Sequence, residues 1–457
     1  MTDLVAVDAL GPHGGYRTRR REVIDDVAGV PVAELSIVPP LFVDQAVKEQ
    51  RRTRPLPEQQ RLGMLAETAT TFTGEVVGGL TFEEYVGLAS RVSGLPVAVT
   101  RAGALAVAEA LVTTGVAIDA AVPAGALLDR REQPAGTGGA VWARRGEVLG
   151  VHASGNAPGI HGLWLQALAL GFRVAVRPSR REPFTGHRLI LALRERFRPA
   201  DAVYLPTDYA GADELVATAD LSMVYGGQAV VDKYAGDPTV LVNGPGRTKI
   251  LITADQDWRD YLDVIVDSVA AFGGTACVNA TAILYQGDPR PLAEALAARL
   301  SEIPVLPITD ERALLPMLPI NRATAIAEHV AALAAGSVPI RGADQIVADL
   351  GDGSAALRPA VHLLDRPDAA ALGAEQGFPC VWVAPWSRAD GLSALRHTLV
   401  LGVLTADEDL VDDLAAEPTV RNVYWGRLPT HHAAPEVPHD GFLADFLMWN
   451  KGFARAR

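Results

Sequence analysis

A chain of 457 residues exceeds one ordinary hydrophobic core and predicts two or three domains. Its 49% hydrophobic and 21% charged residues are those of a folded soluble protein. The formal charge of −13, with only four Lys among 41 basic residues and no long basic stripe, argues against nucleic acid as a main partner. Two cysteines make no disulfide framework, which fits a reducing cytoplasm. No apolar leader follows the first charges. The longest apolar stretch noted, 163–176, is broken by Gln166, Gly171 and Arg173, so no membrane span is expected. By composition, only the first twenty residues are candidates for disorder.

Taken in chain order, residues 41–118 read mainly as helix, with apolar residues at helical spacing over 81–90 and 101–113 and Thr81 as an N-cap. Residues 125–146 read as an excursion of two extended arms, 126–128 and 140–143, around a Pro/Gly/Thr-rich turn. From 147 the pattern alternates. Strand 148–152, loop 153–159 and helix 160–170 with Gly171 as its stop are followed by strand 172–176, helix 184–197, and strands 202–205 and 221–225. This rhythm predicts a doubly wound parallel sheet. A second set holds strand 249–252, helix 258–271, strand 282–285, helix 291–299 and strands near Val361 and Val381. The expected division is therefore 1–245, an N-terminal helical region with a nucleotide-binding domain; 246–415, a catalytic domain; and 416–457, a segment that returns to the first domain or reaches a partner subunit.

Cys277 lies in Phe272-Gly273-Gly274-Thr275-Ala276-Cys277-Val278-Asn279, between the helix 258–271 and the strand 282–285. The small neighbours leave room for a carbonyl to approach a thiolate nucleophile, but a free Cys is also a common buried apolar residue. Asn156, in the loop after strand 148–152, is either an oxyanion donor at the carboxyl end of a strand or a helix cap. Gly226 and Gly227, where a strand meets a helix, suit a pyrophosphate or simply a tight turn. Arg177, Ser179 and Arg180 form a basic Pro-Ser turn, suited to a ribose phosphate or to solvent. Glu375 precedes a Gly/Pro turn and reads as a ribose ligand, a base or a surface residue. Trp164, Trp258, Trp382, Trp386 and Trp425 line an acyl pocket or pack the core. No spacing reads as a metal site, and His431, His432 and His439 read as loop residues in a Pro-rich stretch.

In this order, the segments resemble the aldehyde dehydrogenase superfamily, and more closely its acyl-CoA reductase branch, which includes the fatty acyl-CoA reductases of bacterial bioluminescence. The match spans roughly residues 100–457. The resemblance implies an aldehyde dehydrogenase-like α/β fold with two doubly wound domains and an oligomerisation arm, in a homodimer or homotetramer. It implies Cys277 as nucleophile and Asn156 as oxyanion donor. For the cofactor it implies Arg177, Ser179, Arg180, Gly226, Gly227 and Glu375. The ending Pro438-His439-Asp440-Gly441-Phe442-Leu443 resembles the reductase branch.

Two departures refine the expectation. The family's oxidising members carry a general-base glutamate in a segment that here reads Val240-Leu241-Val242-Asn243-Gly244-Pro245-Gly246, with no carboxylate. Exchange of an acyl group with another thiol needs less help than hydrolysis, because a free thiol ionises near pH 8.5. Arg180 stands where NAD-selective relatives carry glutamate, which points to NADPH over NADH. The expected activity is therefore NADPH-dependent reduction of an acyl thioester, on CoA or an acyl carrier protein, to an aldehyde. The alternatives are an NAD(P)-dependent aldehyde dehydrogenase forming acid or acyl-CoA, an acyl-phosphate reductase, and an inactive cofactor-binding scaffold.

Overall fold

The computed structural model describes residues 4–457. The strand–helix alternation after 147 folds into a sheet because its strands are apolar on both faces and the intervening helices cover them. The strand order is Val240–Asn243, Leu221–Tyr225, Val148–His152, Arg173–Arg177, Ala202–Tyr204, Ala9–Gly11, Gly14–Tyr16. The first five run parallel, Ala9–Gly11 is antiparallel to Ala202–Tyr204, and the chain then hairpins into Gly14–Tyr16. Of the first twenty residues, read as a candidate for disorder, 1–3 lie outside the described residues, and Ala9–Gly11 and Gly14–Tyr16 are ordered at the sheet edge, with Ala9 and Leu10 buried. The N-terminal stretch is strand rather than helix: Val5–Val7, Pro31–Ser36 and Arg21–Asp25 form a further small sheet. Strands this short carry too little periodicity to register in sequence.

The second large sheet has the order Val338–Arg341, Ala360–Leu363, Cys380–Pro385, Ala282–Tyr285, Lys249–Ile252, Thr398–Leu404, Val420–Trp425, parallel except at its first strand. It therefore continues past the boundary expected near 415, because Val420–Trp425 pairs with Thr398–Leu404. The chain then returns to the first domain. Helix Leu443–Leu447 packs on helix Leu165–Ala169. Strand Met448–Ala454 pairs antiparallel with every residue of Gly138–Arg144, which also pairs with Ala126–Leu127. The two-armed excursion is thus a three-stranded sheet completed by the C-terminus.

Thr81 caps helix Phe82–Ser93 as its sequence predicts. Its hydroxyl accepts from Glu84 N at 3.2 Å and the Glu84 carboxylate accepts from Thr81 N at 2.8 Å, a reciprocal box contributing about 1 kcal/mol. The helix expected over 160–170 instead divides into a tight turn, Pro158–Gly162, and a short helix, Leu165–Ala169. The cause is close packing on helix Val97–Ala121. A Cβ on Gly162 would lie 2.9 Å from Ala110 Cβ, and one on Gly103 would lie 3.0 Å from Pro158 Cδ. Among the described residues, helix Val97–Ala121 alone is long and apolar enough to cross a membrane. Here its stripe Val107, Leu111, Thr114 and Ile118 is buried, and the helix packs against Glu58–Gly74.

Candidate active site

A cleft of about 590 Å³ opens at the carboxyl ends of Val148–His152, Leu221–Tyr225 and Val240–Asn243, where parallel sheets leave room for ligands. The second domain closes it with the cysteine loop and with residues from the loops around 375, 397 and 439. It brings together Asn156, Gly226, Gly227, Cys277 and Glu375, whereas Arg177, Ser179 and Arg180 lie outside its lining.

The cysteine loop is shaped by its backbone. After helix Leu262–Ala270, three consecutive residues, Phe272, Gly273 and Gly274, adopt left-handed conformations with φ of 55°, 71° and 66°. Glycine relieves two of these. Phe272 holds a conformation that costs of order 1 kcal/mol or more. A Cβ on Gly274 would also meet Pro379 N at 2.4 Å. Asn279, which sequence reasoning passed over, ties the loop down. Its Oδ1 accepts from Ala276 N at 2.9 Å, and its Nδ2 donates to Ala271 O at 2.9 Å and Ser268 O at 3.1 Å. Thr248 Oγ1 donates to Cys277 O at 2.8 Å. Asn156 reaches this loop from the other domain, donating from Nδ2 to Thr275 O at 3.1 Å while Ser154 Oγ donates to its Oδ1. The second Nδ2 hydrogen remains for a ligand.

Cys277 is partly exposed to the cleft, and its Sγ lies 3.6 Å from His439 Nε2. Burial, and then the Glu375 carboxylate, pushes the thiol up to about 12. Burial holds His439 below its ordinary value, with Asp440 opposing. The pair is therefore a protonated thiol beside a neutral imidazole. Asn422 Nδ2 donates to His439 O, and Asp440 pairs with Arg421 at 3.1 Å. The loop reading of His439 holds for the backbone but missed its contact with the thiol. The only signal in the sequence was its place in the Pro438-His439-Asp440-Gly441 ending.

Glu375 Oε2 accepts from Arg247 N at 2.9 Å, and burial raises its carboxyl above the ordinary range. Arg247, with φ of 47°, donates from Nη2 to Gln228 Oε1 at 2.7 Å and so links the two domains across the cleft. Tyr225 lines the same wall, its hydroxyl pushed up chiefly by burial and then by Cys277 and Asp440.

The residues present fit a nicotinamide dinucleotide. A Cβ on Gly227 would meet nothing within 4 Å, so the backbone there is open to a ligand, whereas a Cβ on Gly226 would lie 2.4 Å from Val230 Cγ2. Asn243 lines the cleft with its Nδ2 buried and without a partner, and Arg177 Nε is likewise buried without one at the end of its strand. Ser179 sits beneath the Asn156 loop, 2.6 Å from where a Gly155 Cβ would be. Arg180 forms a partly exposed ion pair. Its guanidinium is held by Glu22 at 2.9 and 3.0 Å, beside Asp25 and Asp26 in a separate shallow pocket. The five tryptophans do not line the cleft: Trp164, Trp258, Trp382 and Trp386 are core residues and Trp425 is about half exposed. The segment 240–246 contributes Val242, Asn243, Gly244, Pro245 and Gly246 to the wall and no carboxylate. Among the described residues, no three His, Cys, Asp or Glu side chains gather to hold a metal.

No protein-family model matches the chain, and neither does any curated protein. Solved structures match over its whole length. A γ-glutamyl-γ-aminobutyraldehyde dehydrogenase from Burkholderia cenocepacia is 16% identical with a TM-score of 0.83, covering 100% of this chain and 97% of its own. An indole-3-acetaldehyde dehydrogenase in complex with NAD+ is 16% identical at 0.82, covering 98% and 96%. A 1-pyrroline-5-carboxylate dehydrogenase variant from Thermus thermophilus is 16% identical at 0.82, covering 98% and 93%. The fold is thus the aldehyde dehydrogenase-like α/β fold.

Proposed function

We propose that this chain is a nicotinamide-dependent oxidoreductase that works between the aldehyde and acyl levels through a covalent link to Cys277. The observation that carries this reading is the convergence of Cys277, Asn156, Glu375 and the open backbone at Gly227 on one cleft. The solved structures of this fold described above are named as aldehyde dehydrogenases, which favours oxidation of an aldehyde as the direction. Cys277 Sγ adds to the aldehyde carbonyl carbon. The free Asn156 Nδ2 hydrogen and the Cys277 N–H hold the resulting oxyanion, each such donor contributing about 3 kcal/mol. The nicotinamide, when bound, supplies the hydride exchange. Glu375, Asn243 and the Gly227 backbone orient it, and Arg247 and Gln228 narrow the cleft against water.

A second reading, reduction of an acyl thioester of CoA or a carrier protein, is favoured by one observation: the 240–246 wall offers no carboxylate to activate water. A thiol is then the better acyl acceptor or donor. Preference for NADPH loses its main support, because Arg180 is already paired with Glu22. The test is turnover of an aldehyde panel with NAD+ and NADP+, with and without CoA, and of acyl-CoAs with the reduced cofactors. Intact mass measurement should reveal an acyl adduct on Cys277. Cys277→Ser should abolish both adduct and turnover; near wild-type activity in that variant overturns the proposal.

A further inference from the structure

We propose that His439 is a catalytic residue: its Nε2 takes the proton from Cys277 Sγ, gives it to the group that leaves the acyl carbon, and takes a proton from the group that attacks it. This rests on the assignment of Cys277 above and extends it to the proton's path. The imidazole is in contact with the reacting sulfur, Nε2 to Sγ being 3.6 Å, and that is within reach of a sulfur hydrogen bond. Three features make the pair more than a chance approach. The thiol cannot ionise unaided near neutrality, because burial and Glu375 both oppose the thiolate. The imidazole is neutral and free to accept, since burial keeps its proton off. Its position is also fixed, through Asn422 on the backbone carbonyl and the Arg421–Asp440 ion pair on the next residue.

The other ionisable groups around the pair do not serve as well. Glu375 is a carboxylate whose charge repels the thiolate and whose oxygen is engaged by Arg247 N. Asp440 is paired with Arg421. Tyr225 holds its proton more tightly than an ordinary phenol. His397 and Arg247 line the cleft, and Arg247 is engaged with Gln228.

The proton balance closes in both directions. In thioester reduction, Sγ attacks the carbonyl as its proton moves to Nε2, and the imidazolium protonates the departing thiolate, leaving the acyl-enzyme and a neutral imidazole. After hydride addition, the oxyanion collapses, the C–Sγ bond breaks, the aldehyde leaves and the cysteine thiolate regains a proton taken up from solvent and relayed by His439. In oxidation, the imidazolium formed as Sγ attacks the aldehyde releases its proton to solvent; the neutral imidazole then removes the proton of the thiol or water acceptor as it attacks the acyl carbon, the C–Sγ bond breaks, and the cysteine thiolate takes that proton back from His439. His439 then fills the role for which the 240–246 wall has no carboxylate.

The test is the rate of Cys277 alkylation by iodoacetamide as a function of pH, read by intact mass with no substrate present. The wild-type rate should rise through an inflection below the ordinary imidazole value of about 6.5, where His439 loses its proton. His439→Gln should lose about 100-fold at pH 7.5, within the usual range for a general base, and keep only a rise at high pH. Added imidazole should restore part of the rate in His439→Ala. Glu375→Gln should keep this inflection while its overall rate rises, because the Glu375 charge opposes the thiolate. The assignment is overturned if His439→Gln alkylates like wild type, or if Glu375→Gln rather than His439→Gln removes the inflection. Should the variants fail to fold, a wild-type rate with no inflection below about pH 9 overturns it alone. If alkylation depends on His439 but no aldehyde or thioester is turned over, the oxidoreductase reading falls and the proton-acceptor role of His439 stands.

Discussion

Gly246→Ala is expected to lower turnover on the order of 100-fold by moving the nucleophile. A Cβ at this position would lie 1.9 Å from Cys277 O, 2.7 Å from Cys277 C and 3.0 Å from Cys277 Cα. All three are backbone atoms, so no side chain can rotate away. Reaching van der Waals contact requires a separation greater by more than about 1 Å. The Cys277 carbonyl also accepts from Thr248 Oγ1, and the loop is pinned by Asn279, so the strain passes to the whole cysteine turn. A displacement of about 1 Å at a reacting atom costs on the order of 100-fold in rate. The overpacking itself should lower stability by about 1–3 kcal/mol. Steady-state kinetics with the best substrate, alongside urea unfolding, measure both effects. Gly227→Ala is the control, since its Cβ would meet nothing within 4 Å and its φ of −75° suits any residue. That variant should unfold like wild type and raise only the KM for the cofactor. A Gly246→Ala enzyme with wild-type kcat and wild-type iodoacetamide reactivity would refute the reasoning.

Arg180→Ala should change stability by less than about 1 kcal/mol, because its pair with Glu22 is partly exposed, and should shift the NADP-to-NAD ratio of kcat/KM by no more than about twofold. A selective tenfold loss with NADP would mean that Arg180 leaves Glu22 for the phosphate. Stability should also fall as the pH drops from about 6.5 towards 4. Buried His152 and His161 have values pulled down to about 4 and about 3, so the unfolded chain takes up these protons first. Their contribution is complete above the unfolded value and declines by about 1.4 kcal/mol per pH unit for each group. Buried Glu182 and Glu375, whose values are raised, offset part of this. A urea midpoint at pH 5 equal to or above that at pH 7.5 would contradict the balance.

The alternation from Val148 to Tyr225 was legible because each buried strand is a run of apolar residues ended by a turn, which is a local signal. Cys277 and Asn156 were legible for a related reason, their loops standing out between such runs. What was not legible depends on contacts between distant residues. Leu10 pairs with Tyr204, and no periodicity within Ala9–Gly11 announces it. The strand Val420–Trp425 lies past a boundary that composition does not mark. Helix 160–170 breaks because its neighbour Val97–Ala121 presents Gly103 and Ala110 to it. Arg180 looked free in sequence because Glu22, its partner, belongs to a strand that sequence did not reveal. His439 is separated from Cys277 by 162 residues, and only the path of the returning chain brings them together.

The way both chain ends are stitched into the first domain bears on how the molecule is made. Ala9–Gly11 must wait for Ala202–Tyr204, and Gly138–Arg144 must wait for Met448–Ala454, which emerges long after it during synthesis. Contacts of such long sequence separation slow folding. Until residues 443–448 arrive, the apolar seat for Leu443, Ala444 and Leu447 on helix Leu165–Ala169 stays uncovered. A nascent chain therefore carries a nearly finished domain with one sticky face, the kind of intermediate that chaperones bind. Trimming a few residues from the C-terminus should consequently show first as poor solubility during expression, before any loss is visible in the folded product.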